Sequence, residues 1–149
     1  MGQTQSALII GVATAADVPA MFDIRTRVRE NALTRAQLAE LGITEPGITD
    51  AVQADDCAFV ARMDGRVVGF AMIDAEAASL FALFIDPARE RMGIGRRLLA
   101  AAEEALFARA DRIQLDTQPG TRADGFYRRC GWQVEAVIDG GDIRMTKHR

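Results

Sequence analysis

Leu83-Phe84-Ile85-Asp86-Pro87, followed after Ala88-Arg89-Glu90 by Arg91-Met92-Gly93-Ile94-Gly95-Arg96-Arg97-Leu98-Leu99, decides how this chain folds. An apolar strand stops at Pro87, a loop carries two glycines one residue apart, and a helix starts at once. Glycine lets the main chain come close to an anion, and the free N–H groups of a helix's first turn point at it along a favourable dipole. Four arginines (Arg89, Arg91, Arg96, Arg97) crowd the same nine residues. The spacing excludes two common phosphate binders. A dinucleotide fingerprint needs a third glycine where Leu98 stands, and a P-loop needs Gly-Lys-Ser/Thr, whereas the one lysine is Lys147.

Upstream, the apolar run Leu8–Val12 reads as a first strand. Thr14 or Asp17 then caps a helix with Val18, Met21, Phe22 and Val28 on its apolar side and Arg25, Arg27 and Arg29 along its polar side. Thr34-Arg35-Ala36-Gln37 has capping-box form and predicts a short helix to Leu41, stopped by Gly42. Pro46-Gly47 breaks the chain, and Thr49 opens a further helical turn to about Ala54. The period then changes. Cys57–Met63 and Val67–Ile73 flank Asp64-Gly65, a hairpin signal, and a third strand of this group runs over Ala78–Ile85.

Downstream, Ile94, Leu98, Leu99, Ala102, Ala105 and Leu106 share one helical face. Arg112–Asp116 is a strand, and Thr121 caps a short helix ended by Gly131. Trp132–Ile138 and Ile143–Thr146 form a last hairpin around Asp139-Gly140-Gly141-Asp142. The order β-α-α-β-β-β-α-β-α-β-β mixes hairpins with crossovers. It predicts an α+β (α/β mixed) fold with a mixed, mostly antiparallel central sheet of about seven strands flanked by helices.

The chain has 149 residues, which suits one domain over 1–149. A net charge of −3 argues against nucleic acid as a partner. No apolar run reaches the roughly 20 residues of a membrane span, and no secretory signal opens the chain, so a cytoplasmic protein without a membrane partner is expected. Met1-Gly2-Gln3-Thr4-Gln5-Ser6 fits the short myristoylation pattern, which chance often produces. Cys57 and Cys130 lack metal-ligand spacing, and the single histidine, His148, is penultimate. A metal site and a Ser-His or Cys-His catalytic pair are therefore not expected.

With these elements in place, the chain resembles the GNAT superfamily of acyl-CoA-dependent N-acyltransferases over nearly its full length. Two motifs carry the resemblance. One is Leu83–Pro87 with Arg91–Gly95, similar to the family's strand, loop and helix for the acetyl-CoA pyrophosphate. The other is Ala123-Asp124-Gly125-Phe126-Tyr127-Arg128-Arg129-Cys130-Gly131-Trp132, similar to its later alanine, Phe-Tyr, Gly-Phe motif. The resemblance implies that backbone N–H groups of Arg91, Met92, Gly93, Ile94, Gly95 and Arg96 bind the pyrophosphate. It implies that Leu83, Phe84 and Ile85 pair with the pantetheine arm as an added strand. The strand of Leu83 is expected to splay from Arg112–Asp116, with the thioester in the gap. Three departures stand out: Glu90 replaces the family's first Gln/Arg, Gly120 lies near an expected asparagine, and Trp132 replaces phenylalanine.

The resemblance makes Tyr127 the catalytic candidate, a phenol that protonates the departing thiolate. The alternative is a packed tyrosine whose hydroxyl bonds within the protein. An aliphatic ammonium must also lose a proton before attack; Asp74, Glu76, Asp116 or a water chain can take it. Glu40, Glu45, Asp50, Asp55 and Asp56 form a segment without lysine or arginine on the acceptor side, an acidic rim suited to a cationic amine or simply a solvated surface. The expected activity is transfer from acetyl-CoA to a primary amine of a small molecule or peptide, with a homodimer open. The alternatives are a non-catalytic acyl-CoA-binding sensor module and a nucleotide-binding protein.

Overall fold

A computed structural model describes residues 7–149; the Met1–Ser6 pattern lies outside the described residues. The elements are β1 (Leu8–Val12), α1 (Val18–Arg27), α2 (Arg35–Glu40), α3 (Glu45–Ala54), β2 (Ala58–Met63), β3 (Arg66–Asp74), β4 (Ser79–Ile85), α4 (Ile94–Phe107), β5 (Arg112–Thr117), α5 (Arg122–Arg129), β6 (Gln133–Val137) and β7 (Ile143–His148). The seven strands form one sheet in the order β1-β2-β3-β4-β5-β7-β6. Every neighbouring pair is antiparallel except β4 and β5. This is the mixed, helix-flanked sheet that the pattern predicts.

Local signals act where expected. Thr34 accepts from the Gln37 N–H at 3.1 Å and Gln37 returns the bond to the Thr34 N–H at 2.9 Å, closing the capping box of α2. Asp64 (φ 54°) and Gly65 (φ 73°) both sit in the left-handed region, as a two-residue hairpin turn demands. One expectation changes: Pro46-Gly47 does not break the chain but lies in the first turn of α3. Thr44 caps this turn from the Gly47 N–H at 3.2 Å. Proline is tolerated there because first-turn N–H groups have no helical acceptor. Three helices therefore separate β1 from β2 instead of two and a turn.

Two cores sandwich the β1–β4 half of the sheet. On one face Val60, Phe70 and Met72 meet Met21, Phe22 and Ile24 of α1, Leu38 of α2 and Val52 of α3. On the other, Ala61, Val68 and Ala71 meet Leu98, Leu99, Ala102 and Leu106 of α4. The second core continues into Ile113, Leu115, Ile143 and Met145 of the β5–β7 half and ends at Trp132. There the Trp132 indole N–H donates to Glu103 on α4 at 3.1 Å, and Lys147 reaches the same carboxylate at 2.7 Å.

Gly69 on β3 seats α4. A Cβ built there would lie 3.0 Å from both Ile85 Cδ1 and Leu98 Cδ1 and 3.2 Å from Ile94 Cγ2. Gly69→Val is expected to lower stability by about 1–3 kcal/mol through overpacking. The effect should read as a fall in the urea midpoint with an unchanged slope, whereas an unmoved midpoint would show that α4 does not depend on this close approach.

Candidate active site

β4 and β5 run parallel but share one residue pair, Ser79 with Gln114. The Gln114 N–H donates to the Ala78 carbonyl at 2.9 Å, and beyond this tie the strands part toward Ile85 and Thr117. A bulge helps them separate. Between β3 and β4 the register runs Met72↔Ala82, then Ile73↔Leu80, so Phe81 is an extra residue on β4. An extra residue bends its strand and increases local twist. Main-chain groups of β4 past Ser79 thus face a gap rather than a fifth strand.

The gap leads to the glycine loop. Arg91 (φ 64°) and Gly93 (φ 77°) take left-handed conformations that turn the chain into α4. Gly93 is the N-cap and offers no side chain, so the first-turn N–H groups of Ile94, Gly95 and Arg96 keep no capping partner. A Cβ on Gly95 would stand 3.5 Å from Phe126 Cζ and 3.8 Å from Ile85 Cγ1. The bare glycine therefore keeps open a space between the end of β4 and α5.

Of the arginines in this segment, Arg97 bonds the Leu8 carbonyl at 2.7 Å and Arg89 approaches the Met63 sulfur at 3.7 Å. Arg91 and Arg96 are exposed and make no side-chain bond among the described residues. Glu90 turns its charge to other cations, accepting from Arg122 at 2.9 Å with Arg29 at 3.5 Å. The Arg122 bond, foremost, holds its carboxyl below the usual range.

Tyr127 lies on α5, buried in the same core as Leu115, a core against which Leu83 and Ile85 also pack. Phe126 and Trp132 hold its ring edge-on, with centroids 5.5 and 6.1 Å away. Its hydroxyl makes no hydrogen bond to the described residues. Every fully buried side-chain nitrogen or oxygen among them does have a partner, so the Tyr127 oxygen is not sealed in. Burial, with a smaller contribution from Cys130, pushes its pKa well above that of a free tyrosine and keeps the phenol protonated.

The structure does not gather the carboxylate candidates. Asp74 accepts from the Ala77 N–H at 3.2 Å to close the β3–β4 turn, and Glu76 is exposed beside it. Both stand at the paired end of the gap, four residues or roughly 13 Å along the strand from Leu83. Asp116 stands at the open end, but Arg144 grips both of its oxygens at 2.9 and 3.2 Å.

A cavity of about 190 Å³ lies on the α1 side of β4, lined by Phe22, Phe70, Phe81, Ala82 and Phe84 and, as its only charged residue, Arg25. None of Glu40, Glu45, Asp50, Asp55 and Asp56 lines it; Glu45 instead pairs with Arg35 at 3.1 Å. Sequence reasoning placed Arg25 on the polar side of α1. Its position, four after Met21 and three after Phe22, puts it within the apolar stripe and was the available signal. A larger groove of about 740 Å³ near Asp17 is lined by two ion pairs, Arg62 to Asp17 at 2.6 Å and Arg27 to Asp86 at 3.2 Å, and also by Arg66 and Arg89. No cluster of three or more metal-binding side chains occurs among the described residues.

Comparison with known proteins is consistent with this geometry. The model of the acetyltransferase (GNAT) family matches residues 18–132. An uncharacterized N-acetyltransferase of Methanocaldococcus jannaschii is 31% identical over 105 residues. That stretch is 62% of this chain and 46% of the relative, so the chain spans about half the length of the curated relative it matches. Among solved structures, the PaiA N-acetyltransferase of Thermoplasma acidophilum in complex with coenzyme A superposes with a TM-score of 0.78 at 19% identity, covering 96% of this chain and 99% of that one. A ribosomal-protein-alanine N-acetyltransferase of Brucella melitensis gives 0.72 at 22% identity, covering 95% and 99%. Identities this low establish a shared fold.

The helix that presents Tyr127 is anchored at its start. Thr121 accepts from the Asp124 N–H at 3.2 Å, and buried Asp124 accepts from Arg128 at 2.7 Å and from the Gly120 N–H at 2.8 Å. The Arg128 and Gly120 bonds hold the Asp124 carboxyl below its usual range. Asp124→Ala is expected to cost about 1–2 kcal/mol, the scale of a lost cap and charge-assisted bond. A lowered folded pKa stabilises at pH values above the unfolded carboxyl's, about 3.9. The wild-type advantage should therefore be full at pH 7 and shrink as pH falls below about 4. Paired chemical denaturation curves at pH 7 and pH 3 check both parts.

Proposed function

This chain belongs to the acetyltransferase (GNAT) family, and we propose that it transfers an acetyl group from acetyl-CoA to a primary amine by direct attack in a ternary complex. The observation that carries this reading is the gap itself. One strand edge lies unpaired beyond Ser79, a first turn of uncapped amides follows the loop after it, and the core against which Leu83 and Ile85 pack holds a phenol with no partner among the described residues.

The residues present fit the donor. Backbone N–H groups from Arg91 to Arg96 would take the pyrophosphate, with the unpaired Arg91 and Arg96 guanidinium groups adding charge. Main-chain groups of Leu83, Phe84 and Ile85 would hold the pantetheine arm as a further strand, in the space that Gly95 leaves open. When bound, acetyl-CoA supplies a thioester carbonyl and a thiolate leaving group.

Tyr127 then serves as the acid. Its hydroxyl donates to the sulfur as the C–S bond breaks, and its raised pKa ensures that it arrives protonated. With Asp74 tied in its turn, Glu76 at the paired end of the gap and Asp116 held by Arg144, the acceptor ammonium loses its proton to water. The balance is one ammonium and one thioester to one amide, one thiol and one proton. Burial raises the Cys57 thiol, and the carboxylates of Asp55 and Asp56 raise it further, so no ready thiolate competes as a nucleophile at that position.

Acetyl-CoA should raise the melting temperature in a concentration-dependent way. Gly95→Ala should keep or raise the unliganded melting temperature, since its Cβ meets Phe126 at ordinary contact and alanine favours helix. It should lose most of the acetyl-CoA shift because the methyl occupies the donor's space. An absent shift in the wild type overturns the reading.

Tyr127→Phe removes a hydroxyl that bonds nothing among the described residues, so fold and acetyl-CoA affinity should hold while kcat falls about 100-fold or more. A melting temperature and a kcat measured on the same protein separate the roles. Near-wild-type kcat, with chemistry limiting the rate, removes Tyr127 from catalysis; donor binding without turnover on any amine leaves a binding module.

A further inference from the structure

The cavity beside β4 carries a charge with no ion-pair partner among the described residues. Arg25 belongs to the apolar stripe of α1, and its guanidinium carbon lies 4.2 Å from the centroid of the Phe84 ring. One of its N–H groups donates to the Asn31 carbonyl at 2.8 Å. No carboxylate lies within ion-pair distance of it among the described residues, whereas Arg27 has Asp23 and Asp86 and Arg29 has Glu90. Burial lowers its pKa, a measure of how much water the group has lost. A guanidinium keeps its charge regardless, so Arg25 holds a half-buried cation with spare donors against an aromatic wall.

The wall sets the rest of the specificity. Phe22, Phe70 and Phe84 close the cavity, and the bulged Phe81, 54% exposed, stands at its rim on the strand that edges the gap. At about 190 Å³ the space is smaller than the roughly 300–1,000 Å³ of sites that engulf drug-sized ligands. It suits one apolar side chain. A polyamine or an aminoglycoside would set its extra cations against Arg25 and desolvate them on phenyl rings.

We propose that the acceptor is an α-amino acid with a large apolar side chain, which fills this cavity while Arg25 takes the carboxylate. The α-amine is then presented at Phe84, one residue from Leu83 on the donor's strand. This assignment rests on the acetyl-transfer reading and names the substrate class of that same site. Arg25 and the α-carboxylate form a charge-assisted, two-pronged pair; the neighbouring α-ammonium loses its proton to water, the amine attacks the thioester carbon, and the C–S bond breaks to release the CoA thiol and the N-acetyl amino acid.

The test uses the full chain, first in equilibrium binding and then in turnover. Phenylalanine should bind the CoA-saturated protein more tightly than phenylalaninamide, which lacks the carboxylate, or glycine, which lacks the side chain. The difference should be about 10- to 100-fold, the scale of one charge-assisted hydrogen bond. Arg25→Gln should cut phenylalanine binding by the same factor, through KM where turnover is followed, and collapse the preference for phenylalanine over phenethylamine. Arg25→Lys, which restores charge without the fork, should recover part of it, and unchanged acetyl-CoA binding shows that both variants are folded.

Tighter binding of spermidine or glycine than of phenylalanine overturns the assignment, as does equal loss of phenylalanine and phenethylamine in Arg25→Gln. Failure of acetyl-CoA to bind the wild type would instead overturn the family reading of the donor site.

Discussion

A single pair of residues holds the two halves of this sheet together at the point where they diverge. Ser79 meets Gln114, the Gln114 N–H reaches the Ala78 carbonyl at 2.9 Å, and past that tie β4 and β5 separate. A sheet split this far would fall apart if hydrogen bonding alone joined it. The continuous core beneath prevents that, because α4 packs on both halves. At its N-terminal end Leu98 and Ile94 close over Gly69; farther along, Glu103 receives the Trp132 indole and Lys147 from the far half. The helix does the work of the missing ladder, and the gap persists as a built feature.

Charge follows the same division. Along α1 and the glycine loop, carboxylates neutralise the arginines that brace the structure: Asp23 and Asp86 for Arg27, Glu90 for Arg29 and Arg122. Glu30 adds a cap on the Arg122 N–H at 3.1 Å, so the end of α1, the glycine loop and the start of α5 are linked in one polar strap. Arg91 and Arg96 at the loop mouth and Arg25 in the cavity stay outside this matching. Arg91 and Arg96 thus stand at the phosphate end of the proposed donor, and Arg25 faces the proposed acceptor.

The parts readable from the sequence are those fixed by local chemistry. Asp64-Gly65 needs left-handed residues, Gly93 needs none of its neighbours to start α4, and the Phe126-Tyr127 motif sits within one capped helix. The parts missed are set by distant contacts or by signals with two meanings. Pro46 can end one helix or start another, and the Thr44 cap decides for the start. The bulge at Phe81 exists only in the pairing of β4 with β3. Arg25 looked like surface because its neighbours Arg27 and Arg29 are; only the packing of Phe84 against it shows that position 25 faces inward. The acidic segment was visible in the sequence, but where its side chains point depended on helices whose packing no local pattern fixes.

Where the chain breaks ordinary rules is informative in the same way. No fully buried polar side-chain atom among the described residues lacks a partner, so the exceptions are few. Besides hairpin residue Asp64, the non-glycine residues with positive φ are Asn31, Ala78 and Arg91. Asn31 holds Arg25 by its carbonyl, Ala78 accepts the Gln114 N–H where β4 and β5 meet, and Arg91 turns the loop into α4. A left-handed alanine or arginine costs about 1–2 kcal/mol, a sum the rest of the fold must offset. The uncompensated Arg25 cation and the unbonded Tyr127 hydroxyl lie on opposite faces of the sheet, one beside the α1 core and one in the α4 core. A protein in which local preference and global fold otherwise agree keeps its few exceptions beside the α1-side cavity, the β4–β5 tie and the glycine loop, and such disagreements are what a bound ligand would relieve.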